Sequence, residues 1–552
     1  MSVSENTPQM YPPVPFIRAE HLKRLQHEEF DVVIIGGGAT GAGAALEAVT
    51  KGLKTALIER YDFSSGTSSR STKLLHGGVR YLEKAAKQLD LAQFNLVREA
   101  LHERGVVLKL APHLSRTCEL LLPLKALWEV PYFMAGLTAY DLLSGRQRIG
   151  KSVYRSKRAI HKLLPGLDTT RFKGAVSYRD GQFDDARLNV ELVMTASQKG
   201  ACIANYLQVM SLQKEDGKVQ GVRVRDSRAE SSEFLVRGKV VINATGPYVD
   251  AIRRMDVPDA RTLIRPSSGI HILVDRNLTP TDVGMLVPKT KDGRVLFMLP
   301  FYGKTMIGTT DEQAPLSDDP KASRREVEYV LEEINRYLDE PLRFDDITAT
   351  WSGLRPLVTG EGSTENLVRE HYIEIAASGL VTITGGKWTT YRSMAEEVIR
   401  KAAASAGLPI STRVSTTEVP LLGSEGFSPS LASLLEQQFA LTSSDARWLV
   451  DLFGGRARVI AAELSRYGES VESTHDALLC AITWYVARFE AATSIDDVLA
   501  RRTRVLFVDE KRAIKLVPLV AGVLHEVLGG SDDYWQNCQS ATLQDYEARA
   551  IG

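Results

Sequence analysis

Several features that quickly classify a protein are scarce in this sequence. The only cysteines are Cys118, Cys202, Cys480 and Cys538, which stand far apart, so free thiols are expected. No Cys-x-x-Cys pair suggests a metal or redox dithiol, and no metal site is predicted. Acidic and basic residues are equal in number, at 68 each, which does not favour nucleic-acid binding. No run of about 20 apolar residues is present, so no membrane-spanning helix is expected.

The length and composition are those of a large folded protein. With 552 residues, of which 44% are hydrophobic, the chain can bury several cores, and length alone allows about three or four domains. Residues 1–29 are rich in proline and lack both the apolar core of a secretory signal and the pattern of a strong transit peptide. They are predicted to be a leader or extension, either a cleaved remnant or an unusual targeting segment.

The most informative stretch begins with an apolar strand at Phe30 that runs into a glycine-rich turn. Gly36, Gly38 and Gly41 have the G-x-G-x-x-G spacing, and a helical stretch follows. In this arrangement the glycines allow a tight turn and a close approach of the backbone, and the helix N-terminus binds a pyrophosphate. Glu59 ends the next apolar run at the offset expected for an acid that binds ribose hydroxyls. These residues predict dinucleotide binding.

A segment rich in hydroxyls and glycines, residues 62–81, follows Glu59. A simple nicotinamide site does not need such a segment, whereas its hydroxyls and N–H groups suit the pyrophosphate and ribityl chain of a flavin. The alternative is a polar surface loop. The residues predicted to contact the flavin cofactor here are Thr67, Ser68, Ser69, Lys73, His76, Gly77 and Gly78.

The stretch from Asp31 to Leu82 closely resembles the FAD-dependent glycerol-3-phosphate dehydrogenases, particularly the mitochondrial type. Further blocks occur in the family's order and cover nearly the whole chain after Glu29: Asp184–Arg187, Val241–Pro247, Pro266–Ile272, Ile307–Asp311, Trp351–Leu357, Thr384–Arg392 and Arg501–Arg504. The resemblance implies bound FAD and oxidation of glycerol 3-phosphate to dihydroxyacetone phosphate by hydride transfer to flavin N5. It also implies that the electrons pass to ubiquinone in a membrane.

The implied fold is α/β, with a Rossmann-like FAD-binding domain of the glutathione-reductase and D-amino-acid-oxidase type. The domain is expected over residues 30–407 in separate pieces, at about 30–110, 170–260 and 350–407. An antiparallel substrate-binding sheet is expected at about 260–350, with short strands at Ile270–Val274, Arg294–Pro300 and Thr305–Gly308. Residues 408–552 show helical periodicity and predict an all-helical cap. Nothing in the cap matches an EF-hand loop, so calcium control is not predicted.

Two predicted strand ends are expected to reach the cofactor. Ala244 and Gly246 follow a β-branched run, and Gly386 and Lys387 follow the strand Leu380–Thr384. When a flavin accepts hydride, negative charge accumulates near N1 and the C2 carbonyl, and a helix N-terminus or a cation stabilises it. Gly386 and Lys387 are predicted to do so.

Catalysis is expected to need a base for the substrate hydroxyl and cations for the phosphate. His271, in the first strand of the inserted sheet, is the leading base candidate, and Lys387 is its competitor. The candidates for phosphate binding are Arg80, Arg355 and Arg369, since arginine grips phosphate oxygens through two parallel bonds. Tyr81 is predicted as a further substrate-binding residue. Arg355 is also a candidate for contact with the developing alkoxide.

Residues 120–143 combine leucines and aromatic side chains with a few charges. Such a segment suits a bilayer interface, although an ordinary pair of core helices would look similar. With the resemblance, it predicts a monotopic protein at the surface of the mitochondrial inner membrane, or of a bacterial cytoplasmic membrane. A homodimer is also implied.

Two other functions stay open at this stage. The nearer is a soluble glycerol-3-phosphate oxidase, which reduces oxygen instead of quinone after the same first half-reaction. The more distant is a non-catalytic flavin-binding protein, and the presence of His271, Arg355 and Lys387 speaks against it.

Overall fold

A computed structural model describes residues 14–78, 90–229, 233–359, 371–468 and 470–549. The strands of this part of the chain are β1 Glu29–Ile35, β2 Thr55–Ile58, β3 Leu74–Leu75, β4 Ser115–Leu124, β5 Val153–Arg155, β6 Gly174–Phe183, β7 Cys202–Ala204, β8 Leu207–Glu215, β9 Lys218–Asp226, β10 Glu233–Asn243, β11 Ile264–Val274, β12 Val283–Val287, β13 Leu296–Phe301, β14 Lys304–Gly308, β15 Glu312–Gln313, β16 Ile347–Val358, β17 His371–Ile375 and β18 Val381–Gly385. They form two sheets.

The helices lie against both faces of the first sheet and make up the C-terminal region. Those in the described residues are α1 Arg18–His27, α2 Ala39–Thr50, α3 Leu91–Leu110, α4 Glu129–Leu143, α5 Lys157–Leu163, α6 Asp185–Gln198, α7 Val249–Asp256, α8 Arg324–Asn335, α9 Tyr391–Ser405, α10 Leu431–Phe439, α11 Ser443–Phe453, α12 Ala457–Ala462, α13 Leu464–Tyr467, α14 Thr474–Phe489, α15 Val505–Val508, α16 Glu510–Leu528 and α17 Asp532–Glu547. A π-helical turn, Asp497–Arg502, precedes α15.

The first sheet has the order β17-β18-β10-β1-β2-β7, and β8 and β9 extend it from β10. Strand β1 pairs in parallel with both β2 and β10, and β10 pairs in parallel with β18. The central strands are buried on both faces and rich in valine and isoleucine, as a parallel sheet between helices requires. Because β1, β10 and β18 run in the same direction, their carboxyl ends lie at one edge, where an open α/β sheet binds its ligand.

The second sheet contains ten strands of the described chain. Strand β11 pairs antiparallel with β16 along its length and with β14 on its other side. Ser267 lies opposite Arg355, and His271 lies opposite Trp351. The strands predicted at Ile270–Val274 and Thr305–Gly308 fall within β11 and β14, and the one predicted at Arg294–Pro300 overlaps β13.

The C-terminal helices pack against the second sheet. Their core joins α14, α16 and the π-helical turn around a continuous set of buried apolar side chains. The segment entering α16 is fixed to strand β16, since Thr348 Oγ1 donates to the Val508 carbonyl at 2.8 Å and the Thr350 N–H donates to Glu510 Oε1 at 2.9 Å. The four cysteines are free thiols, which confirms that prediction.

The segment 120–143 is partly a strand. Leu120–Leu124 lies in β4, where its leucines are buried between β6 and β12, so this part is sheet core and not an interfacial helix. Alternating burial fails as a signal here because both faces of β4 are covered. The remainder, α4, buries only Leu137, Tyr140 and Asp141. Within the described residues no helix has the length and apolar character needed to cross a bilayer.

Candidate active site

The glycine turn lies at the carboxyl edge of the first sheet, between β1 and α2. Gly36 has φ +107°, and a Cβ there would lie 2.6 Å from the Ala244 carbonyl oxygen of the neighbouring strand. A Cβ on Gly41 would overlap the Gly36 carbonyl, and one on Gly38 would lie 2.9 Å from Ser68 Oγ. The turn is therefore packed so closely that only hydrogen fits at these positions. Gly38 caps α2 and leaves the helix N-terminus directed at this edge.

Glu59 stands beside the glycine turn at the end of β2. Its Oε2 accepts from the Gly37 N–H at 2.6 Å, and its Oε1 accepts from the Tyr61 N–H at 2.9 Å. Burial raises the pKa of this carboxyl, while the two backbone N–H groups oppose the shift. The carboxylate is thus bound to Gly37 within the glycine turn, the position at which the fingerprint predicts a ribose-binding acid.

The hydroxyl-rich segment is tied to three parts of the fold. Ser68 Oγ accepts from the Ala39 N–H at 2.9 Å, which places it at the N-terminus of α2. Thr67 Oγ1 donates to the Leu354 carbonyl at 2.6 Å, and the buried Ser69 donates to the Gly66 carbonyl at 3.3 Å. Trp388 Nε1 donates to the Ser68 carbonyl at 2.9 Å, a contact that sequence reasoning missed because a lone tryptophan gives no signal.

Lys73 lies in a buried ion pair. Its Nζ donates to Asp185 Oδ1 and Oδ2 at 2.7 and 2.6 Å and to the Ser69 carbonyl at 2.7 Å, and the side chain is fully buried. Burial lowers the pKa of Lys73 to about 8, although the Asp185 carboxylate opposes that shift. The contact of this ammonium with the cofactor remains a prediction.

His76 and Gly77 begin the region predicted to face the flavin ring. The His76 N–H donates to Thr389 Oγ1 at 3.2 Å, and the Gly77 N–H donates to the Tyr140 hydroxyl at 2.7 Å. Tyr140 in turn donates to Asp180, which pairs with Arg104 at 2.7 Å. Burial raises the pKa of Asp180 to about 6, against the effect of Arg104. Gly78 ends the described segment before residue 90, with φ +85°.

The ends of β10 and β18 meet at the same edge. Thr384 Oγ1 donates to the Gly246 carbonyl at 3.1 Å, which joins the two strand ends. The Ala244 N–H donates to the Ile35 carbonyl at 2.9 Å, so this strand end abuts the glycine turn. Gly386 and the partly exposed Lys387 follow β18 directly, and Lys387 precedes the short helical turn Trp388–Thr390. The structure thus gathers these predicted residues around one edge.

His271 is 2% exposed and lies in strand β11 of the second sheet. Its Nε2 is 3.0 Å from Thr72 Oγ1, and its ring stacks on Trp351 at 5.4 Å between centroids. Nδ1 is buried and has no hydrogen-bond partner among the described residues. Burial lowers the pKa of His271 well below its usual value, and the Lys73 and Arg355 charges add to the effect, so the ring is neutral at pH 7. A neutral imidazole is the form that accepts a proton.

Arg355 extends from β16 across β11 to the turn after β14. Its guanidinium donates to the Ser268 carbonyl at 3.2 Å and the Thr310 carbonyl at 3.0 Å, and it contacts Asp311 Oδ1 at 3.2 Å. A Cβ on Gly269 would collide with it. The side chain is 25% exposed, and fixed backbone carbonyls orient its planar fork. Arg80, Tyr81 and Arg369 lie outside the described residues.

A small surface pocket adjoins these elements. Its lining includes Thr67, Arg70, Tyr248 and Leu354, which come from the hydroxyl segment, the turn after β10 and the strand of Arg355. This pocket therefore lies between the predicted dinucleotide-binding elements and the second sheet.

The C-terminal segment Arg501–Arg504 contacts the hydroxyl-rich segment directly. Arg501 Nε and Arg502 Nη1 donate to Asp62 Oδ2 at 2.5 and 2.6 Å, and Arg504 Nη2 donates to the Ser69 carbonyl at 2.9 Å. All three arginines are buried. The sequence contained this motif, but no local pattern indicates a partner more than 400 residues away.

The residues present fit a flavin dinucleotide, whose pyrophosphate and ribityl chain need a long binding segment. The close-packed glycine turn and the hydroxyl at the helix N-terminus suit a pyrophosphate, and the acid beside the turn suits a ribose. A neutral histidine and an oriented arginine lie on the adjacent sheet. Such a set can hold an anionic substrate and accept a proton beside a redox cofactor.

Comparison with known proteins places these elements in context. Residues 31–392 match the family described as FAD dependent oxidoreductase, and residues 414–534 match the C-terminal domain of alpha-glycerophosphate oxidase. The chain is 41% identical over 547 residues to glycerol-3-phosphate dehydrogenase, mitochondrial, of Homo sapiens, covering 96% of this chain and 75% of that protein. It is 42% identical over 533 residues to the Bos taurus protein of the same name, covering 94% and 73%.

Solved structures agree with this match. The glycerol-3-phosphate dehydrogenase from Bacillus halodurans complexed with FAD superposes with a TM-score of 0.79 at 28% identity, covering 97% of this chain and 98% of that one. The L-alpha-glycerophosphate oxidase from Mycoplasma pneumoniae, at 16% identity and a TM-score of 0.52, shares the fold over 71% of this chain and 98% of that one. The predicted fold class and the FAD cofactor are confirmed.

Proposed function

The chain belongs to the FAD-dependent glycerol-3-phosphate dehydrogenases within the FAD-dependent oxidoreductase family, and on that premise we propose that it oxidises sn-glycerol 3-phosphate to dihydroxyacetone phosphate and delivers the electrons to ubiquinone at a membrane surface. The observation that carries the proposal is the position of Arg355 and His271 on paired strands, joined by Thr67 and Thr72 to the segment that follows the dinucleotide turn.

Arg355 is the proposed phosphate ligand. Three contacts, to the Ser268 and Thr310 carbonyls and to Thr309 Oγ1 at 3.0 Å, fix the plane of its guanidinium before substrate arrives. A planar, pre-oriented fork pairs with two phosphate oxygens at little further cost in side-chain entropy. The Asp311 carboxylate beside it neutralises the arginine until the dianionic phosphate displaces that contact.

His271 is the proposed base, with Lys387 as the alternative. Bound FAD supplies the chemistry of hydride acceptance. Burial keeps the imidazole neutral, so it can accept the C2 hydroxyl proton as the C–H bond breaks. The same burial and the Lys73 and Arg355 charges lower the pKa of His271 and oppose the imidazolium that forms. Lys387 and the backbone after Gly386 stand at the end of β18, where a positive charge offsets negative charge on the cofactor.

Helix α4 is the proposed membrane contact. Around it Leu127, Trp128, Tyr132 and Leu142 expose between 49% and 74% of their surface. The helix is apolar around its circumference, whereas an ordinary surface helix has one polar face. Lys125, Arg146, Arg148 and Lys151 are exposed next to it and suit anionic lipid headgroups. An apolar surface of this kind would hold a flavin enzyme against the bilayer, where a lipid-soluble quinone can accept its electrons.

Vesicle flotation tests this surface. The pair of substitutions Trp128→Ser and Leu142→Ser should release the protein from vesicles containing anionic lipid while glycerol 3-phosphate still reduces the flavin. Val257→Ser is the matched control, because it removes another exposed apolar side chain, directly after the C-terminus of α7. This variant should float with the vesicles as the natural protein does. Equal flotation of all three proteins would rule out α4 as the contact.

Anaerobic titration with glycerol 3-phosphate tests the proposed reaction. The visible absorbance of the FAD should bleach with one equivalent of substrate, whereas glycerol and inorganic phosphate should leave it unchanged. Reduced enzyme should then reduce a soluble ubiquinone analogue faster than it produces peroxide from oxygen. An unbleached flavin would overturn the substrate, and peroxide as the main product would favour a glycerol-3-phosphate oxidase.

A further inference from the structure

His271 is enclosed on almost every side. Trp351 covers one face of the ring, and a Cβ on Gly308 of the neighbouring strand would collide with its Cδ2 and Cγ atoms. Nδ1 is closed to solvent and has no partner among the described residues. Nε2 faces Thr72 Oγ1 at 3.0 Å. A substrate hydroxyl therefore has no evident direct approach to Nδ1, and the polar atom that adjoins Nε2 is the hydroxyl of Thr72.

Thr72 is partly exposed, unlike the ring behind it. It belongs to the segment whose earlier residues, Thr67 and Ser68, contact Leu354 and the N-terminus of α2. The Thr72 hydroxyl therefore connects the buried imidazole to the hydroxyl-rich segment. A hydroxyl can donate one proton while accepting another, which a carbonyl or an ammonium in the same place could not do.

We propose that Thr72 is a catalytic relay: the substrate's C2 hydroxyl gives its proton to Thr72 Oγ1 while the Thr72 hydroxyl gives its own proton to His271 Nε2. The inference rests on the proposed function. One O–H bond of the substrate and one of Thr72 break, one O–H bond re-forms on Thr72, and one N–H bond forms on His271. The electron pair of the substrate C2–H bond leaves as hydride to FAD, so the substrate becomes a ketone and His271 becomes an imidazolium.

The backbone around Thr72 is fixed from two sides. The Ser71 N–H donates to Asp185 Oδ2 at 2.9 Å, and the ammonium of Lys73 holds the same carboxylate and the Ser69 carbonyl. Arg504, from the C-terminal region, donates to the Ser69 carbonyl as well, at 2.9 Å. The residues immediately before and after Thr72 are thus held by buried charges, which gives its hydroxyl a defined position.

The face of His271 is held from the same region. The guanidinium of Arg504 lies 4.4 Å from the Phe507 ring centroid, Phe507 packs edge-on against Trp351 at 5.4 Å, and Trp351 stacks on the imidazole. Lys73 Nζ lies 5.2 Å from the Trp351 centroid. Thr72 and His271 are therefore positioned against one another by one connected cluster, which supports a functional pair over a chance contact.

The test compares Thr72→Val, Thr72→Ser and His271→Asn by stopped-flow reduction of the bound FAD under anaerobic conditions. Thr72→Val keeps the shape of the side chain and removes the hydroxyl, so the reduction rate at saturating substrate should fall about 10²-fold, within the range of general base catalysis. Thr72→Ser should stay close to the natural rate. The double variant that combines Thr72→Val with His271→Asn should reduce FAD no more slowly than the slower of these two single variants, because both residues act on one proton path.

A solvent deuterium isotope effect gives a readout that a purely structural role would not move. The natural enzyme should reduce FAD more slowly in D₂O, and Thr72→Val should change that effect. Thr281→Val is the matched control, since it makes the same change at an exposed threonine whose hydroxyl donates to the Leu163 carbonyl at 2.7 Å. It should leave the isotope effect as in the natural enzyme.

The outcomes separate the relay from the function on which it rests. Normal reduction by Thr72→Val with a slow His271→Asn would overturn the relay and leave the base in place. Normal reduction by His271→Asn would overturn the relay and the histidine base together, while glycerol 3-phosphate oxidation stands. Failure of glycerol 3-phosphate to bleach the natural enzyme would overturn the proposed function itself.

Discussion

Replacing Asp62 by asparagine probes the junction between the FAD-binding segment and the C-terminal helices. Asp62 is 1% exposed, and its carboxylate accepts from Arg501 Nε at 2.5 Å and from Arg502 Nη1 and Nη2 at 2.6 and 3.0 Å. Asparagine has the same shape but no charge. The variant therefore leaves two buried arginines facing a neutral group that can accept fewer of their hydrogen bonds.

The stability lost in Asp62→Asn depends on the partners that each arginine retains. Arg501 retains carboxylates of Asp496 and Asp497 at 2.6 and 2.8 Å, whereas Arg502, fully buried, retains the Glu490 carbonyl at 2.8 Å and its carboxylate at 3.7 Å. Removing one partner of a buried ion pair costs about 3–5 kcal/mol, and these retained contacts place Asp62→Asn near ~3 kcal/mol. Unfolding entropy of about 2 cal/mol/K per residue converts this to a melting temperature lower by roughly 2–3 °C if the chain melts as one unit.

The assay is thermal release of FAD, followed by flavin fluorescence, alongside calorimetry of the holoenzyme. Asp62→Asn should release FAD at a lower temperature than the natural protein. The control is Glu233→Gln, which removes an exposed ion pair with Arg225, whose side chains are 41% and 50% exposed. Exposed pairs contribute about 0.2–1 kcal/mol, so its curve should nearly overlay the natural one. Equal curves for both variants would refute the reasoning.

Three other substitutions give separate tests. Arg355→Gln should lower kcat/KM for glycerol 3-phosphate by about 10²–10³-fold with FAD content unchanged, measured by steady-state kinetics, because charge-assisted bonds to the phosphate are lost; normal kinetics would remove Arg355 from the site. Gly36→Ala should purify without FAD, since a Cβ would meet the Ala244 carbonyl at 2.6 Å and the backbone has φ +107°; a yellow protein of natural FAD content would contradict this. His113→Leu should flatten the acid side of the stability curve: burial lowers the pKa of His113 to about 3, so below pH 6.5 the unfolded chain takes up a proton that the folded one refuses, and stability falls by up to about 1.4 kcal/mol per pH unit. Denaturant titrations at pH 7 and pH 5 would measure that slope, and an equal slope in both proteins would exclude His113.

Local patterns were sufficient to predict the elements proposed to hold the cofactor. The strand into Gly36, the helix after Gly41 and the run ending at Glu59 each carry their signal within a few residues, and the structure has β1, α2 and β2 there. The same holds for the strand ending before Ala244, which is β10. Short-range periodicity and turn chemistry decide such elements.

Long-range partners were beyond such patterns. Leu120–Leu124 looked like part of an interfacial helix because a strand covered on both faces and a helix give similar apolar runs. The ammonium of Lys73 pairs with Asp185, and Thr72 meets His271 across 199 residues. No spacing in the sequence encodes these contacts, since each is made by the packing of separate strands and helices.

The contact between Asp62 and Arg502 spans 440 residues, and it has a consequence for biosynthesis. A growing chain that has left the ribosome as far as residue 400 possesses the strands of the nucleotide-binding sheet but lacks the cations that neutralise Asp62, and Asp185 still lacks Arg504. Acquisition of the flavin in its final, tightly held form therefore has to wait for the last tenth of translation. Until then the nascent protein must keep the Asp62 carboxylate hydrated, whereas Asp185 already has Lys73 as a partner. Premature termination before Arg501 should therefore yield apoprotein that chaperones and proteases treat as unfinished.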